Sequence, residues 1–413
     1  MGMRIGIDDT DSPEGMCTTY LGAVLIRRLS DEGFTVNGQT LVRLNPNVPY
    51  KTRGNAAVSI EAEGGSLERA FELACAAVEE FADFSCEKTN PGVVVNAGSV
   101  STAFYKKALR GFCEISEATD LLRGAGALYK GWKLGRGLIG ATAAISADLP
   151  DYTYELLTYR DHRDHGLRQV ERESVFSAEA ATWPHTWDSV DRENNVVVCV
   201  PHTPDPVIYG IRGESPKWVE KAASLIKSEE PIIRQVYRTN QGTDAHLIVA
   251  TIADMKDGRS YHVAGTVAAE PETRRGGHVV LRISDGPAAE VVCMAYEPTK
   301  GFRDVVRTLL PGDRIEVCGS FKRGRINLEK LRIVTIAEVF QERPPVCTEC
   351  GKRMTSAGFE KGYKCRHCGA HAHKSERRFI SRTTNTGWYE VPPSARRHLA
   401  KPLARGMLSL HQS

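Results

Sequence analysis

Two groups of residues are of the right types, at the right spacing, to do chemistry. Near the start, the short apolar run MRIGI leads into Asp8-Asp9-Thr10-Asp11-Ser12. Three carboxylates in four positions repel one another unless a cation neutralises them. Magnesium is the natural choice, because it takes hard oxygen ligands and bridges carboxylates to phosphates. Asp8, Asp9 and Asp11 are therefore candidate magnesium ligands and catalytic groups, the alternative being a solvated turn with one Asp capping a helix. Gly15 to Thr19, GMCTT, then offers backbone N–H groups and hydroxyls at a helix entrance, a setting suited to anions. Cation and phosphate sites would lie side by side.

The second group is Cys347-Thr-Glu-Cys350 with Cys365-Arg-His-Cys368, two CxxC knuckles separated by 14 residues and each followed by glycine. Four thiolates close a tetrahedral shell around zinc and leave no open catalytic position. A redox pair or an iron site is the competing reading. His367 and His371 stand nearby, but four sulfurs suffice.

The elements that must hold these groups fit an ordinary multidomain chain. At 413 residues, with 41% apolar and 25% charged residues, the composition is globular and suggests about three domains. No apolar run approaches the ~18 residues of a membrane helix, and the expected location is the cytoplasm. Seven of the eleven cysteines are scattered singly, which fits a reducing compartment better than a disulfide framework. The net charge of +3 hides a gradient: Lys+Arg against Asp+Glu is 27 to 36 over residues 1–258, 14 to 11 over 259–345, and 13 to 4 over 346–413. An acidic front suits cations and cationic substrates, and a basic tail suits phosphate polymers.

From Tyr261 onward, YHVAGTVA, HVVLRISD, EVVCMAY, RIEVCGSF and RINLEKLRIV alternate as strands, with helix-like GFRDVVRTLL after the third. Five strands with that insertion predict an OB-fold barrel over 259–343, followed by a zinc ribbon and basic tail over 344–413. This pairing suits single-stranded nucleic acid. Lys322, Arg323, Arg325, Arg377 and Arg378 are the candidate RNA contacts, with Lys330, Arg332, Lys374, Arg382, Arg396, Arg397, Lys401 and Arg405 adding positive charge among Phe379, Trp388 and Tyr389. In the front 258 residues, helices are expected at Met16–Glu32, Ser66–Phe84, Glu117–Leu122 and Pro216–Lys227, and strands at Gly137–Ser146, 195–200 and 207–211. Two interleaved α+β modules fit this length better than one core. Two glycine segments, Lys133-Leu-Gly135-Arg136-Gly137-Leu-Ile-Gly140 and Gly210-Ile-Arg212-Gly213, could complete a nucleotide pocket, although each is a weak signal alone and the first by itself reads better as a glycine-rich turn between packed elements.

GIDDTDS at 6–12, GMCTTYLG at 15–22, GRGLIGA at 135–141, GIRGE at 210–214, the barrel strands and the CxxC pair occur in the order found in one family. Together they resemble the archaeal tRNA 2-agmatinylcytidine synthetases. That resemblance implies a kinase-like α/β domain (1–60 with about 125–195), an interleaved ferredoxin-like domain (about 61–124 with 196–258), an OB fold and a zinc ribbon. It implies ATP-dependent attachment of agmatine to C2 of the wobble cytidine of the minor isoleucine tRNA, through a phosphorylated cytidine, so that the anticodon reads AUA. ATP with magnesium and structural zinc are the implied cofactors. The tRNA and agmatine are the implied partners, with no membrane and no obligate protein partner. Thr18 matches a phosphoacceptor threonine, and Thr10, Lys133, Arg136, Gly210 and Arg212 are the expected ATP-binding positions. The competing readings are a non-catalytic OB-fold and zinc-ribbon single-strand binder, and a tRNA-modifying ligase using another amine.

Overall fold

A computed structural model describes residues 2–287 and 289–406, so the end of the expected basic tail, 407–413, lies outside the described residues. The front region runs β1 (Met3–Asp8), α1 (Thr18–Asp31), β2 (Thr35–Arg43), β3 (Ala56–Glu63), α2 (Leu67–Phe81), β4 (Gly92–Asn96), α3 (Thr102–Arg110), α4 (Ile115–Gly124), β5 (Leu128–Gly131) and α5 (Gly137–Ile145). It continues with β6 (Thr153–Tyr159), α6 (Arg172–Thr182), β7 (Thr186–Trp187), β8 (Val190–Asp191), β9 (Val196–Val197), β10 (Val207–Gly213), α7 (Pro216–Leu225) and β11 (Ile233–Thr239). Nine of these strands form one sheet in the order β5-β4-β1-β3-β2-β11-β6-β10-β7.

The alternation along each strand decides which helix covers which face. Ile5, Ile7, Val58, Ile60, Val93 and Val95 point toward α1 and α2, while Val94 faces α5 with Leu122 and Leu138. Gly6 lies under α5, where an added Cβ would meet the Ala141 carbonyl oxygen at 2.3 Å. The expected strand at Gly137–Ser146 is thus a helix over Gly137–Ile145. Nearly all its residues are buried, so the run GLIGATAAI carries neither a two-residue nor a 3.6-residue period, and only its small residues hint at close packing.

The strands do not group as expected for two of the segments. β4 lies beside β1 and shares its core, so residues 92–96 belong with the acidic loop rather than with 196–258. β6, expected in the first module, sits between β10 and β11. Strands β6, β7, β10 and β11 with α6 and α7 make an antiparallel βαββαβ unit. Its strand pairing to the first half of the sheet runs through Arg238 and Thr239 of β11, which pair in parallel with Thr40 and Leu41 of β2, and Leu157, Tyr159, Ile233 and Tyr237 share the core under α1. Of the expected strand at 195–200, only the short β9 forms, paired with β8.

Next come β12 (Leu247–Val249), β13 (Arg259–Thr273), β14 (Val279–Gly286), β15 (Ala289–Ala295), α8 (Gly301–Arg307), β16 (Arg314–Lys322) and β17 (Arg325–Thr335). The five strands β13 to β17 close on themselves in the order β13-β14-β15-β17-β16-β13, with β15 and β17 parallel. Phe302 and Val306 of α8 plug the barrel core.

The chain then leaves along β18 (Val339–Arg343), makes the small sheet β19 (Thr355–Ser356), β20 (Tyr363–Lys364) and β21 (His371–Ala372), and returns on β22 (Glu376–Ile380), antiparallel to β18. Beyond it, β23 (Gly387–Glu390) adds to the barrel against β17. The last described residues run back to the front sheet, where the carbonyls of His398 and Leu399 accept from the Gly242 and Asp244 N–H groups at 2.8 Å each. Much of the tail's positive charge is consumed inside the molecule. Arg382 pairs with Asp313, Arg396 with Asp188 and Glu390, Arg405 with Asp151, and Lys330 is buried against Asp244. Each of these cations already has a carboxylate partner. Lys322, Arg323, Arg325, Arg377 and Arg378 are exposed.

Candidate active site

The acidic loop owes its shape to glycine on the helix above it. At Gly140 a Cβ would fall 1.8 Å from Asp8 Oδ2, and at Gly137 one would fall 2.3 Å from the Gly92 nitrogen and 2.6 Å from the Asp8 carbonyl. The GRGLIGA segment is therefore the start of a helix that lies directly on the end of β1 and β4. Asn90 ties the pieces together: its N–H donates to Asp9 Oδ2 at 3.1 Å, its carbonyl accepts from Gly137 N–H at 2.9 Å, and its side-chain oxygen accepts from Leu134 N–H at 3.3 Å. Asp9 takes φ = 58°, which turns the chain sharply out of the strand.

Burial pushes the Asp8 carboxyl well above the usual range, with the Asp9 and Asp11 charges adding to the effect. Asp9 is pushed up to about 7, by burial first and the Asp11 charge second, against the lowering influence of the Asn90 N–H, Arg136 and Lys133. The Arg136 and Lys133 charges do not offset the burial of Asp9, and neither carboxylate has an ion-pair partner among the described residues, which is what a bound cation would supply. Asp11 has instead turned to Arg53, whose Nε donates to Asp11 Oδ2 at 3.0 Å and whose Nη1 reaches Asp205 at 2.9 Å. Among the described residues, the tight cluster of possible metal ligands is Cys347, Cys350, Cys365 and Cys368, with sulfurs within 4.8 Å of one another. The oxygens of the three aspartates do not close up to that degree. At the knuckles, Gly351 (φ 70°) and Gly369 (φ 80°) turn their N–H groups onto the Cys347 and Cys365 carbonyls, the tight turn that brings paired thiols to one point. This donor set fits zinc.

Thr18 opens α1, where Cys17 occupies the cap position without a side-chain cap bond, so the first-turn N–H groups have no side-chain acceptor there. Its hydroxyl accepts from Thr10 Oγ1 at 3.1 Å, which places the buried Thr10 behind it. Two cavities adjoin at this point. One, of about 680 Å³, is lined by Asp8, Asp9, Asp11, Tyr50, Lys51 and Arg136. The other, of about 1110 Å³, is lined by Asp11, Thr18, Arg43, Arg53, Gly210 and Arg212 among others, and the two share Asp11, Gly54 and Ala56. Arg136 lies over the Tyr50 ring, 4.6 Å from its centroid. Lys133 is close enough to act on Asp9 but spends its amine on the Phe84 and Cys86 carbonyls.

The structure thus gathers Asp8, Asp9, Asp11, Thr10, Thr18, Arg136, Gly210 and Arg212, and leaves Lys133 at the edge. It adds residues that the sequence did not single out: Arg53, Arg43, Lys51, Asn90, Glu155, Asp188 and His398. The basic turn Lys51-Thr-Arg53-Gly54 between two strand patterns was a readable hint. Nothing marked His398, which comes from beyond the zinc ribbon.

Comparison with known proteins shows what the chain is similar to. Family models described as the TiaS TCKD domain, the TiaS FLD domain and the TiaS C-terminal zinc ribbon domain match residues 4–70, 135–246 and 344–384. The tRNA 2-agmatinylcytidine synthetase TiaS of Methanocorpusculum labreanum is 52% identical, covering 98% of this chain and 97% of its own. That of Archaeoglobus fulgidus is 44% identical over 98% of both. The fold superposes on a crystal structure of TiaS with its isoleucine tRNA and ATP with a TM-score of 0.92 at 43% identity, covering 99% of this chain and 98% of that one. A complex of TiaS with the same tRNA, AMPCPP and agmatine gives 0.89 at 41% identity, with the same coverage. Similar along almost its whole length to each of them, the chain belongs to the TiaS family of tRNA 2-agmatinylcytidine synthetases.

Proposed function

We propose that the chain uses ATP to attach agmatine to C2 of the wobble cytidine of the minor isoleucine tRNA, with the reaction seated where the two cavities meet. The observation that carries this assignment is the adjacency of the acidic loop, Thr18 and Arg212 around shared Asp11. A carbonyl oxygen is a poor leaving group, and phosphorylating it makes it a good one. The cytosine C2 oxygen takes the terminal phosphoryl group of ATP, and the ADP left behind gives its outer phosphoryl group to the Thr18 hydroxyl and departs as AMP, water later releasing that group as phosphate. The agmatine amine attacks C2, the C–O bond breaks with phosphate leaving, and the nitrogen gives up a proton.

In phosphoryl transfer the protein contributes mainly position and charge. Asp8, Asp9 and Asp11 would hold magnesium, which neutralises developing phosphate charge when bound. That role requires Asp11 to exchange Arg53 for the ion. Thr10 orients the Thr18 hydroxyl, the phosphoacceptor position. Arg136 and Arg212 offer guanidinium groups to phosphate oxygens, with Lys133 reinforcing from the edge.

The half of the sheet carrying the acidic loop is the kinase-like part, the βαββαβ half from β6 to β11 the ferredoxin-like part, and the closed five-stranded barrel the OB fold. The target base must leave the anticodon stack to reach this site, so a separate grip on the RNA is needed. Lys322, Arg323 and Arg325 at the β16–β17 turn supply it together with Arg377 and Arg378, where Arg377 lies over Phe340 and Phe340 packs edge-on against Phe379. A non-catalytic binder would leave the buried acidic loop without a purpose. AMP formation from ATP, measured alone, with the minor isoleucine tRNA, with agmatine and with both, tests the assignment. Full turnover only with both, with an agmatine adduct on the wobble cytidine by mass spectrometry, is expected; tight tRNA binding with neither AMP nor adduct would refute it.

A further inference from the structure

The chain beyond the zinc ribbon returns to the front sheet and places one side chain in the Thr18 cavity. His398 Nδ1 lies 2.6 Å from Arg212 Nη2. The other nitrogens of that guanidinium are also engaged: Nε donates to Glu155 Oε1 at 3.2 Å, and Nη1 lies 3.7 Å from Asp188 Oδ2. Glu155 and Asp188 are themselves buried and fixed, Glu155 by Gln241 at 2.5 Å and by Arg43 at 3.9 Å, and Asp188 by Arg396 of the same returning segment. A guanidinium held along three edges has one orientation, whereas one held only by Glu155 and Asp188 could swing Nη2 out of that orientation.

We infer that His398 is a positioning residue for Arg212, a neutral acceptor delivered from beyond the zinc ribbon that fixes the guanidinium toward the Thr18 cavity. An acceptor is required because Arg212 has only N–H groups to offer. A proton on Nδ1 would set cation against cation. The enclosing walls, with Arg43, Arg212 and Lys51 around the ring, hold the His398 pKa well below its ordinary value, which keeps Nδ1 free to accept. His398 itself stays open to the cavity, with its Nε2 edge toward Gly54, a residue shared by both cavities. The backbone around it is anchored independently, since its carbonyl accepts from Gly242 N–H at 2.8 Å and Leu399 is buried in the α3–α5 core. Changing the ring therefore leaves the strap in place.

This inference rests on the seating of the reaction in the Thr18 cavity, and the test separates the two. His398→Asn keeps an acceptor oxygen where Nδ1 stands, His398→Gln carries its acceptor out to the Nε2 position, and His398→Ala has none. Single-turnover agmatine incorporation at saturating ATP, tRNA and agmatine is measured for each, beside tRNA affinity and thermal melting, and again with Arg212→Ala. The Ala and Gln variants are expected to slow about tenfold or more, the scale of one charge-assisted hydrogen bond, with tRNA affinity within about twofold. His398→Asn should recover to within about threefold of the parent, and His398→Ala should add nothing once Arg212→Ala is present. Equal loss in the Asn and Gln variants, an unchanged rate in all three, or additive loss with Arg212→Ala would overturn the inference. Thr18→Ala run alongside addresses the seating: full incorporation without Thr18 would refute the assignment of the cavity, whatever the His398 variants do.

Discussion

Gly140→Ala puts the proposed role of the acidic loop to its sharpest test, because one methyl group is aimed at one carboxylate. The new Cβ would lie 1.8 Å from Asp8 Oδ2, 2.5 Å from its Cγ and 3.0 Å from its Cβ. Restoring an ordinary contact of about 3.4 Å requires something to move by roughly 1.5 Å. Helix α5 has no slack to give, since Gly137 already abuts the Gly92 nitrogen and the Ala141 carbonyl abuts Gly6. The Asp8 side chain must therefore yield. Overpacking of this kind costs about 1–3 kcal/mol of stability, and misplacing a reacting group by about 1 Å costs on the order of 100-fold in rate. Turnover of ATP to AMP with both substrates should fall about 100-fold, while tRNA affinity stays within about twofold and the protein melts a few degrees lower. Gly124→Ala, at a position with open space around it, is the control and should change neither quantity. Wild-type turnover in a folded Gly140→Ala protein would show that the Asp8 carboxylate is not needed where it stands.

Metal removal and acid probe the ribbon and the barrel. A strong chelator, or Cys365→Ser, should unfold the ribbon, since structural zinc is worth about 10–16 kcal/mol of apparent binding energy in zinc-finger peptides; ribbon resonances lost by NMR with unchanged melting of the front sheet is the expected result. Glu329, buried between His246 and Arg397, is pulled down to about 2: burial alone would raise it, and the His246 hydrogen bond with the His246, Arg397 and Lys330 charges overrides that. Its ionised form therefore adds stability above the unfolded pKa near 4.5, about 3 kcal/mol, which is lost as pH falls from there toward 2. Denaturation of Glu329→Gln should show a deficit at pH 7 that shrinks below about pH 4, and a deficit constant with pH would contradict the pairing.

How much of this was legible in the residues depended on whether each signal was local. The five barrel strands and the plug helix were readable because one face of each strand is buried and the other is wet, so alternation survives in the sequence. The zinc knuckles were readable because ligand spacing is itself local. The acidic loop could be named as a candidate site, but not its geometry: that Asp11 faces Arg53 and that Gly140 roofs Asp8 follow from contacts between residues far apart in the chain. GLIGATAAI was read as a strand because burial on all sides erases the period that distinguishes the two structures. The basic tail was read as a surface because charge counts cannot see partners. Asp151, Asp188 and Asp313 stand far back in the chain, and they turn Arg405, Arg396 and Arg382 from phosphate contacts into struts.

Those struts change what removal of the ribbon would mean. Truncation at residue 344 discards β23, which pairs with β17 from Lys330 to Ile333, and with it Arg396, His398 and the buried Leu399. Such a protein loses a barrel strand and a wall of the Thr18 cavity together with the ribbon, so its inactivity would say nothing about RNA. Excision is cleaner. Arg343 and Glu376 are opposite partners in the antiparallel pair β18–β22, so replacing residues 344–375 by Asn-Gly closes a two-residue hairpin that keeps this pairing and gives up the exposed Arg353–Glu376 ion pair. The excised protein should melt within a few degrees of the parent and keep agmatine incorporation at saturating tRNA, with tRNA affinity reduced in proportion to the ribbon's share of the grip. The truncated protein should be unstable and inactive at any tRNA concentration. If the truncated protein kept the stability and agmatine incorporation of the excised one, the returning segment would be dispensable, and the site would be complete without it.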